Sequence, residues 1–158
     1  MASTANVIDA IRTLIPTVTG FSDKIEIPNP YLLEDNKEPM IRNSWGLIVG
    51  GASRAANDDP VYKHYVTSER EMSIVLTRKV YDLDSNNRSL NTAAKSLLDD
   101  KDNVVKELLD NSKILETLKT GEEVVFNGDS GIEFLIADNT KFIKTQIDFT
   151  IEMVDQIN

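Results

Sequence analysis

Fourteen residues near the C-terminus, Lys141 to Val154, alternate in polarity almost without error. Ile143, Ile147, Phe149, Ile151 and Met153 fall on one side of an extended chain, and Lys144, Gln146, Asp148, Thr150 and Glu152 on the other. Side chains of a β-strand point alternately to opposite faces, so a period of two predicts one strand buried on one side. At about 3.3 Å per residue it spans roughly 46 Å, where an ordinary strand has about 5–6 residues. Such a strand outgrows a small domain, and its excess edge is open to a neighbouring subunit. Whatever else the chain builds, it builds around this segment.

The remaining elements follow from periodicity and punctuation. Val7, Ile8, Ile11, Leu14 and Ile15 share one helical stripe, with Ser3, Thr4 or Asn6 as cap and Pro16 as the stop, which predicts a short N-terminal helix. Lys24–Ile27 reads as a short strand, and Pro28–Asn29–Pro30 forces an extended or turning path ahead of Tyr31, Leu32 and Leu33. Ser44–Val49 and Glu69–Leu83 read as strands, with Trp45, Leu47 and Val49 in phase on the first and Met72, Ile74, Leu76 and Val80 on the second. Arg78 interrupts that apolar face, so its stem snorkels or its head pairs with a carboxylate. Leu90–Leu109 places Leu90, Ala94, Leu97, Leu98, Val105, Leu108 and Leu109 at helical spacing, with Asp99–Asp100 and Asp102–Asn103 marking a kink or break. Ser112–Lys119 predicts a further helical turn or two ending at Gly121.

Glu123–Phe126 and Ile132–Ala137 flank Asn127–Gly128–Asp129–Ser130–Gly131, which has the composition of a turn, and Asp138–Asn139–Thr140 leads into the long final strand. The order is helix, strand, long loop, strand, long helix and a three-stranded meander. It predicts an α+β fold: a mostly antiparallel sheet with one long helix packed across it and a short N-terminal helix. A length of 158 residues, 41% hydrophobic and 27% charged, fits one domain over 1–158.

Catalytic and metal chemistry find little support. There is no cysteine, which excludes disulfides and thiolate metal sites and fits synthesis in a reducing compartment. His64 is the single histidine, too few for a zinc site and without a visible partner for acid–base work. Asp82–Leu83–Asp84–Ser85 opens like a calcium loop but lacks its glycine, and the stretch Asn127–Gly131 is explained by turn geometry. Gly50–Gly51–Ala52–Ser53 lacks the phosphate-loop spacing, and Ser130 is not framed as a nucleophile elbow. No enzyme activity, cofactor or metal is expected. The first fifteen residues lack the pattern of a signal peptide, and no apolar run is long enough to span a membrane.

Twenty-six acidic residues against seventeen basic give a net charge of −9, with the basic residues scattered. Gripping nucleic acid by phosphate neutralisation needs the reverse. The long connection Gly50–Ser68 is the candidate functional segment, because loops in compact domains usually run to about 4–6 residues. Arg54, Asp58, Asp59, Tyr62, His64 and Tyr65 are its candidate interface residues.

The order of elements resembles the tail terminator (tail completion) proteins of long-tailed bacteriophages. Four features carry the resemblance: the helix at Val7–Ile15, the strand pair joined by a long loop, the single long helix Leu90–Leu109, and the alternating C-terminal strand Phe142–Val154. The resemblance implies a virion protein, made in the host cytoplasm, that forms a ring of commonly six copies at the head-proximal end of the tail tube. Its implied partners are itself, the tail tube protein and a head-completion or connector protein, with genomic DNA passing through unread. Six copies at −9 each would carry a formal −54, so an acidic channel would repel phosphate. Three alternatives stay open: a neck component on the head side, a small cytosolic ligand-binding or enzymatic domain with Trp45, Arg78 and Tyr81 lining a pocket, and an acidic adaptor or immunity-type binding module.

Overall fold

A computed structural model describes residues 4–22, 24–27, 43–54, 65–80, 88–110, 123–137 and 140–156. In chain order the elements are α1 (Thr4–Leu14), a 3₁₀ turn (Ile15–Thr17), β1 (Ile25–Glu26), β2 (Ser44–Arg54), β3 (Tyr65–Lys79), α2 (Arg88–Asp110), β4 (Glu123–Asp129), β5 (Glu133–Ala137) and β6 (Thr140–Gln156). The alternating segment is indeed one strand, the 17-residue β6. Its position in the sheet differs from the expectation. The order is β1-β2-β3-β6-β4, with β5 also on β6, so the longest strand is internal. On one side β3 pairs with it antiparallel without a slip from Tyr65↔Gln156 to Lys79↔Phe142. On the other side lie β4, from Glu123↔Glu152 to Asp129↔Ile147, and β5, from Glu133↔Lys144 to Ala137↔Thr140.

Little of β6 is therefore in excess. The last rungs of β2 and β4 are Arg54↔Ser68 and Glu123↔Glu152, so among the described residues only Tyr65–Thr67 and Val154–Gln156 reach beyond both neighbours as a two-stranded tip. The expected three-stranded meander is also corrected. β4 and β5 do not pair with each other; they are successive pieces of one broken strand laid along the same edge of β6. The turn-like residues between them make a kink. Register slips between Phe126 and Gly128, and Gly128 and Gly131 adopt φ of 141° and 71°. Ser130 holds the ladder across the break: its N–H donates to the Gln146 carbonyl and its Oγ accepts from the Gln146 N–H, both at 2.9 Å. Residues that favour turns also satisfy bulges, and the length of β6 decides between the two by offering an edge to both pieces.

Two further boundaries move. The strands absorb both ends of the expected Gly50–Ser68 loop, because β2 continues to Arg54 and β3 begins at Tyr65. Gly50 and Gly51 sit at a bulge between Val49 and Ala52, so they bend a strand instead of starting a loop. The rest of that connection, 55–64, lies outside the described residues, as do Pro28–Asn29–Pro30, Tyr31–Leu33, Tyr81–Leu83, Ser112–Lys119 and Asp138–Asn139. The second correction concerns α2, which runs unbroken through Asp99–Asp100 and Asp102–Asn103.

Both helices cover one face of the sheet. Val7, Ile11 and Leu14 of α1 and Ala93, Leu97, Val104 and Leu108 of α2 form one core with Trp45, Leu47, Met72, Ile74, Leu76, Ile143, Ile147, Phe149 and Ile151. These strand residues are in register with one another, so the period of two places them on the same side. Leu98 and Leu109, expected on the core stripe of α2, are exposed instead. At about 100° per residue they stand roughly 100–120° around the helix from Leu97, outside the arc that meets the sheet.

The two glycines of the β2 bulge separate cleanly in a stability test. A Cβ on Gly50 would sit 2.9 Å from the Glu71 carbonyl oxygen, whereas one on Gly51 would meet nothing within 4 Å. Gly50→Ala is expected to cost about 1–3 kcal/mol and Gly51→Ala less than about 0.5 kcal/mol, measured by urea denaturation.

Candidate assembly surface

The broken strand β4–β5 is the outermost strand on its side of the sheet among the described residues. It exposes Val125, Phe126, Ile132, Phe134 and Ile136, the last at 63%. Edge strands usually carry charges, prolines or short lengths that stop another chain from adding to them. Here the outer strand is rich in large apolar side chains. α2 extends the same patch. Lys101 Nζ lies 3.5 Å from Asp129 Oδ2 on β4, while Asp100, on the opposite flank of the helix, reaches Arg78 on β3. Leu98 is three residues from Lys101 and Leu109 eight, so both fall on the β4 side of α2. Of eight exposed large apolar residues among those described, seven lie along this side of the molecule and only Ile25 lies elsewhere.

Ile25 belongs to the opposite edge. β1 pairs in parallel with Ser44 and Trp45 alone, and β2 beyond Trp45 carries no further strand on its outer side among the described residues. Of the candidate residues, Arg54 is on the last rung of β2, opposite Ser68, and Tyr65 is on the first rung of β3, opposite Gln156, three residues further on. Asp58, Asp59, Tyr62 and His64 lie outside the described residues. The β4–β5 patch was missed in the sequence. Its signal is Ile132–Glu133–Phe134–Leu135–Ile136, apolar at four of five positions, which also describes a buried core strand.

Arg78 does find the carboxylate its position demanded. Asp100 Oδ2 lies 2.9 Å from both Arg78 Nη2 and Lys24 Nζ, and the Lys24 and Asp100 side chains are almost fully buried. The Lys24 ammonium also stands 5.0 Å from the centre of the Phe21 ring. One carboxylate thus joins the segment after α1, the end of β3 and the middle of α2. On the covered face nearby, Arg78 Nε and Thr145 Oγ1 are buried without a protein hydrogen-bond partner. On the β4 flank, the hydrogen bond to Asp102 holds the Lys101 ammonium above its ordinary pKa, with a smaller contribution from Asp129.

The face of the sheet opposite the helices carries a polar group, and at one end of that face Ser44, Val75, Thr77 and Phe142 are buried. Ser73 Oγ donates to Asp148 Oδ1 at 2.6 Å, and Gln146 Nε2 donates to Asp148 Oδ1 at 2.9 Å and to Ser73 Oγ at 3.2 Å. The hydroxyls of Ser44 and Thr77 hydrogen-bond to each other, and Lys144 pairs with Glu133 at 3.4 Å. A serine donating to a carboxylate with no imidazole between them is a structural bond, not an activated nucleophile. Among the described residues no group of His, Asp and Glu is arranged to hold a metal. Of the residues suggested as lining a pocket, Trp45 is a core residue at 2% exposure, Arg78 is held by Asp100, and Tyr81 lies outside the described residues.

Comparison with known proteins matches this chain to no family model and, by sequence, to no curated protein. No described helix is long and apolar enough to cross a membrane.

Asp100 provides the sharpest test of the interior. Asp100→Ala leaves two cations facing a core with no counter-charge and is expected to cost about 3–5 kcal/mol. Asp99→Ala, at an exposed neighbouring position, leaves the urea midpoint unchanged.

Proposed function

We propose that this chain is a non-enzymatic structural protein of a bacteriophage virion, assembled as a closed ring at the head-proximal end of a long tail. The observation that carries the reading is the sheet as described: among the described residues both helices lie on one face, no further strand closes either edge, and exposed apolar residues are concentrated at one edge. The strand directions suit a ring. β2, β3, β6 and β4–β5 alternate in direction, so β2 and β4–β5 run opposite to each other. A second copy set beside the first without inversion brings antiparallel edges together. Repeated with a fixed rotation, that head-to-tail contact stops growing when the circle closes.

In this arrangement the helices form the outside, and the part of the opposite face with Glu71, Ser73, Gln146, Asp148 and Thr150 turns towards the channel. A net charge of −9 per copy keeps DNA phosphates from adhering to the wall. By the resemblance described above, the ring holds six copies, ends the tail tube, and docks a head-completion or connector protein. A neck component on the head side uses the same geometry.

Mass photometry of the purified chain is expected to give one discrete species of about six subunits. Its share should rise with added salt, because screening relieves repulsion between acidic copies. Labelling of intact particles should mark the head–tail junction. A chain that remains monomeric at high concentration and labels no particle would falsify this reading.

A further inference from the structure

Thr145 is a polar residue in an apolar row. It lies on β6 in phase with Ile143 and Ile147, on the face that the helices cover, and it is fully buried. Its Oγ1 has no hydrogen-bond partner in the protein, and neither has the buried Nε of Arg78. The two residues are neighbours. Arg78 stands opposite Ile143 and Leu76 opposite Thr145, so Arg78 and Thr145 are diagonal positions of one antiparallel pair, with backbones about 7–8 Å apart. From these two orphaned groups we infer that the covered face of β3 and β6 holds a buried site for one small hydrogen-bond acceptor, a halide ion or a single water molecule. The inference is independent of the ring reading.

The chemistry of the lining selects an acceptor. The Nε–H of a guanidinium can only donate, as can the ammonium of Lys24, and the threonine hydroxyl can donate as well. Asp100 is the carboxylate that the two cations share, and its Oδ2 already lies 2.9 Å from both Arg78 Nη2 and Lys24 Nζ. A buried donor without a partner costs free energy, so protein interiors seldom leave two unpaired polar atoms side by side. One atom held at about 2.9 Å from each group bridges a gap of about 5–6 Å, which the diagonal spacing of Arg78 and Thr145 permits. That span suits a single atom and not a phosphate or carboxylate group. Charge favours the halide, because Lys24, Arg78 and Asp100 together bring two positive charges against one negative. A water molecule presents the same lone pairs without the charge.

The sign of one substitution tests the site. Thr145→Val keeps the branched shape and the strand preference of the side chain while removing its hydroxyl. An empty site predicts a higher melting temperature for the variant, because a buried unpaired hydroxyl is gone. An occupied site predicts a melting temperature lower by about 2–4 °C, because a hydrogen bond is gone. Crystals of the full-length chain grown in sodium bromide identify the occupant. An anomalous peak within about 3.5 Å of both Arg78 Nε and Thr145 Oγ1 assigns a halide, and density there without anomalous signal assigns water. Solution melting gives the same division: replacing gluconate by chloride at equal ionic strength stabilises the wild type more than Thr145→Val if a halide binds, and both equally if water does. A variant that melts at or above the wild type, or a map with no density between the two atoms, overturns the site.

Discussion

β6 is hydrogen-bonded along both of its sides, and most of the molecule is arranged by that fact. A strand satisfied on one side only is an edge, and a 17-residue edge would invite any extended chain to add to it. By pairing with β3 over its length and with the two pieces of β4–β5 on the other side, the chain places its most alternating segment at the centre. The buried row Ile143, Ile147, Phe149 and Ile151 then sets which face the helices must cover, and Met72, Ile74, Leu76, Trp45 and Leu47 fall into phase with it. The cost is passed outward. The strands left at the border, β2 and β4–β5, are those with bulges, glycines and exposed apolar residues.

Asp100 is the second organising contact, and its character is different. Hydrophobic packing of α2 against the sheet is non-directional and tolerates small rotations of the helix. A buried carboxylate held at 2.9 Å by both Lys24 and Arg78 does not. It selects the rotation of α2 that leaves Lys101 towards β4 and Leu98 and Leu109 facing outward. Ion pairs of this kind give modest net stability, because burying the charges offsets much of their attraction. Their effect here is to choose one packing over its near neighbours, and through that choice to place two leucines on the side that also carries the β4–β5 edge.

The elements were legible where one physical signal acted alone. Strict alternation gave β6, the 3.6-residue period gave α1 and the extent of α2, and an arginine on an apolar face announced a carboxylate partner. Legibility failed where one residue type serves two structures. Asn127–Gly128–Asp129–Ser130–Gly131 suits a hairpin and a bulged kink equally, and only the pairing with β6, a long-range fact, separates them. Gly50–Gly51 read as the mouth of a loop because glycine ends strands as well as bending them. Asp99–Asp100 read as a helix break because the partners of Asp100 are 76 and 22 positions away in the chain, at Lys24 and Arg78. The assembly candidates suffered most. A local window cannot tell an apolar border strand from an apolar core strand, so Phe126, Phe134 and Ile136 were not singled out as interface residues.

The exposed border is compatible with a chain of such high charge only if the two features act in sequence. Seven exposed apolar residues on one side would drive indiscriminate association of a neutral protein. With nine excess negative charges on every copy, the encounter between two chains is repulsive at long range, and the Debye length of about 8 Å at physiological salt confines that repulsion to near contact. Association then succeeds only where short-range complementarity is extensive enough to exceed the electrostatic penalty. A single exposed phenylalanine does not meet that condition, and an extended contact along the apolar border does. In the proposed assembly, charge filters the contacts that the apolar border would otherwise make, and the shape of the border decides which contact passes.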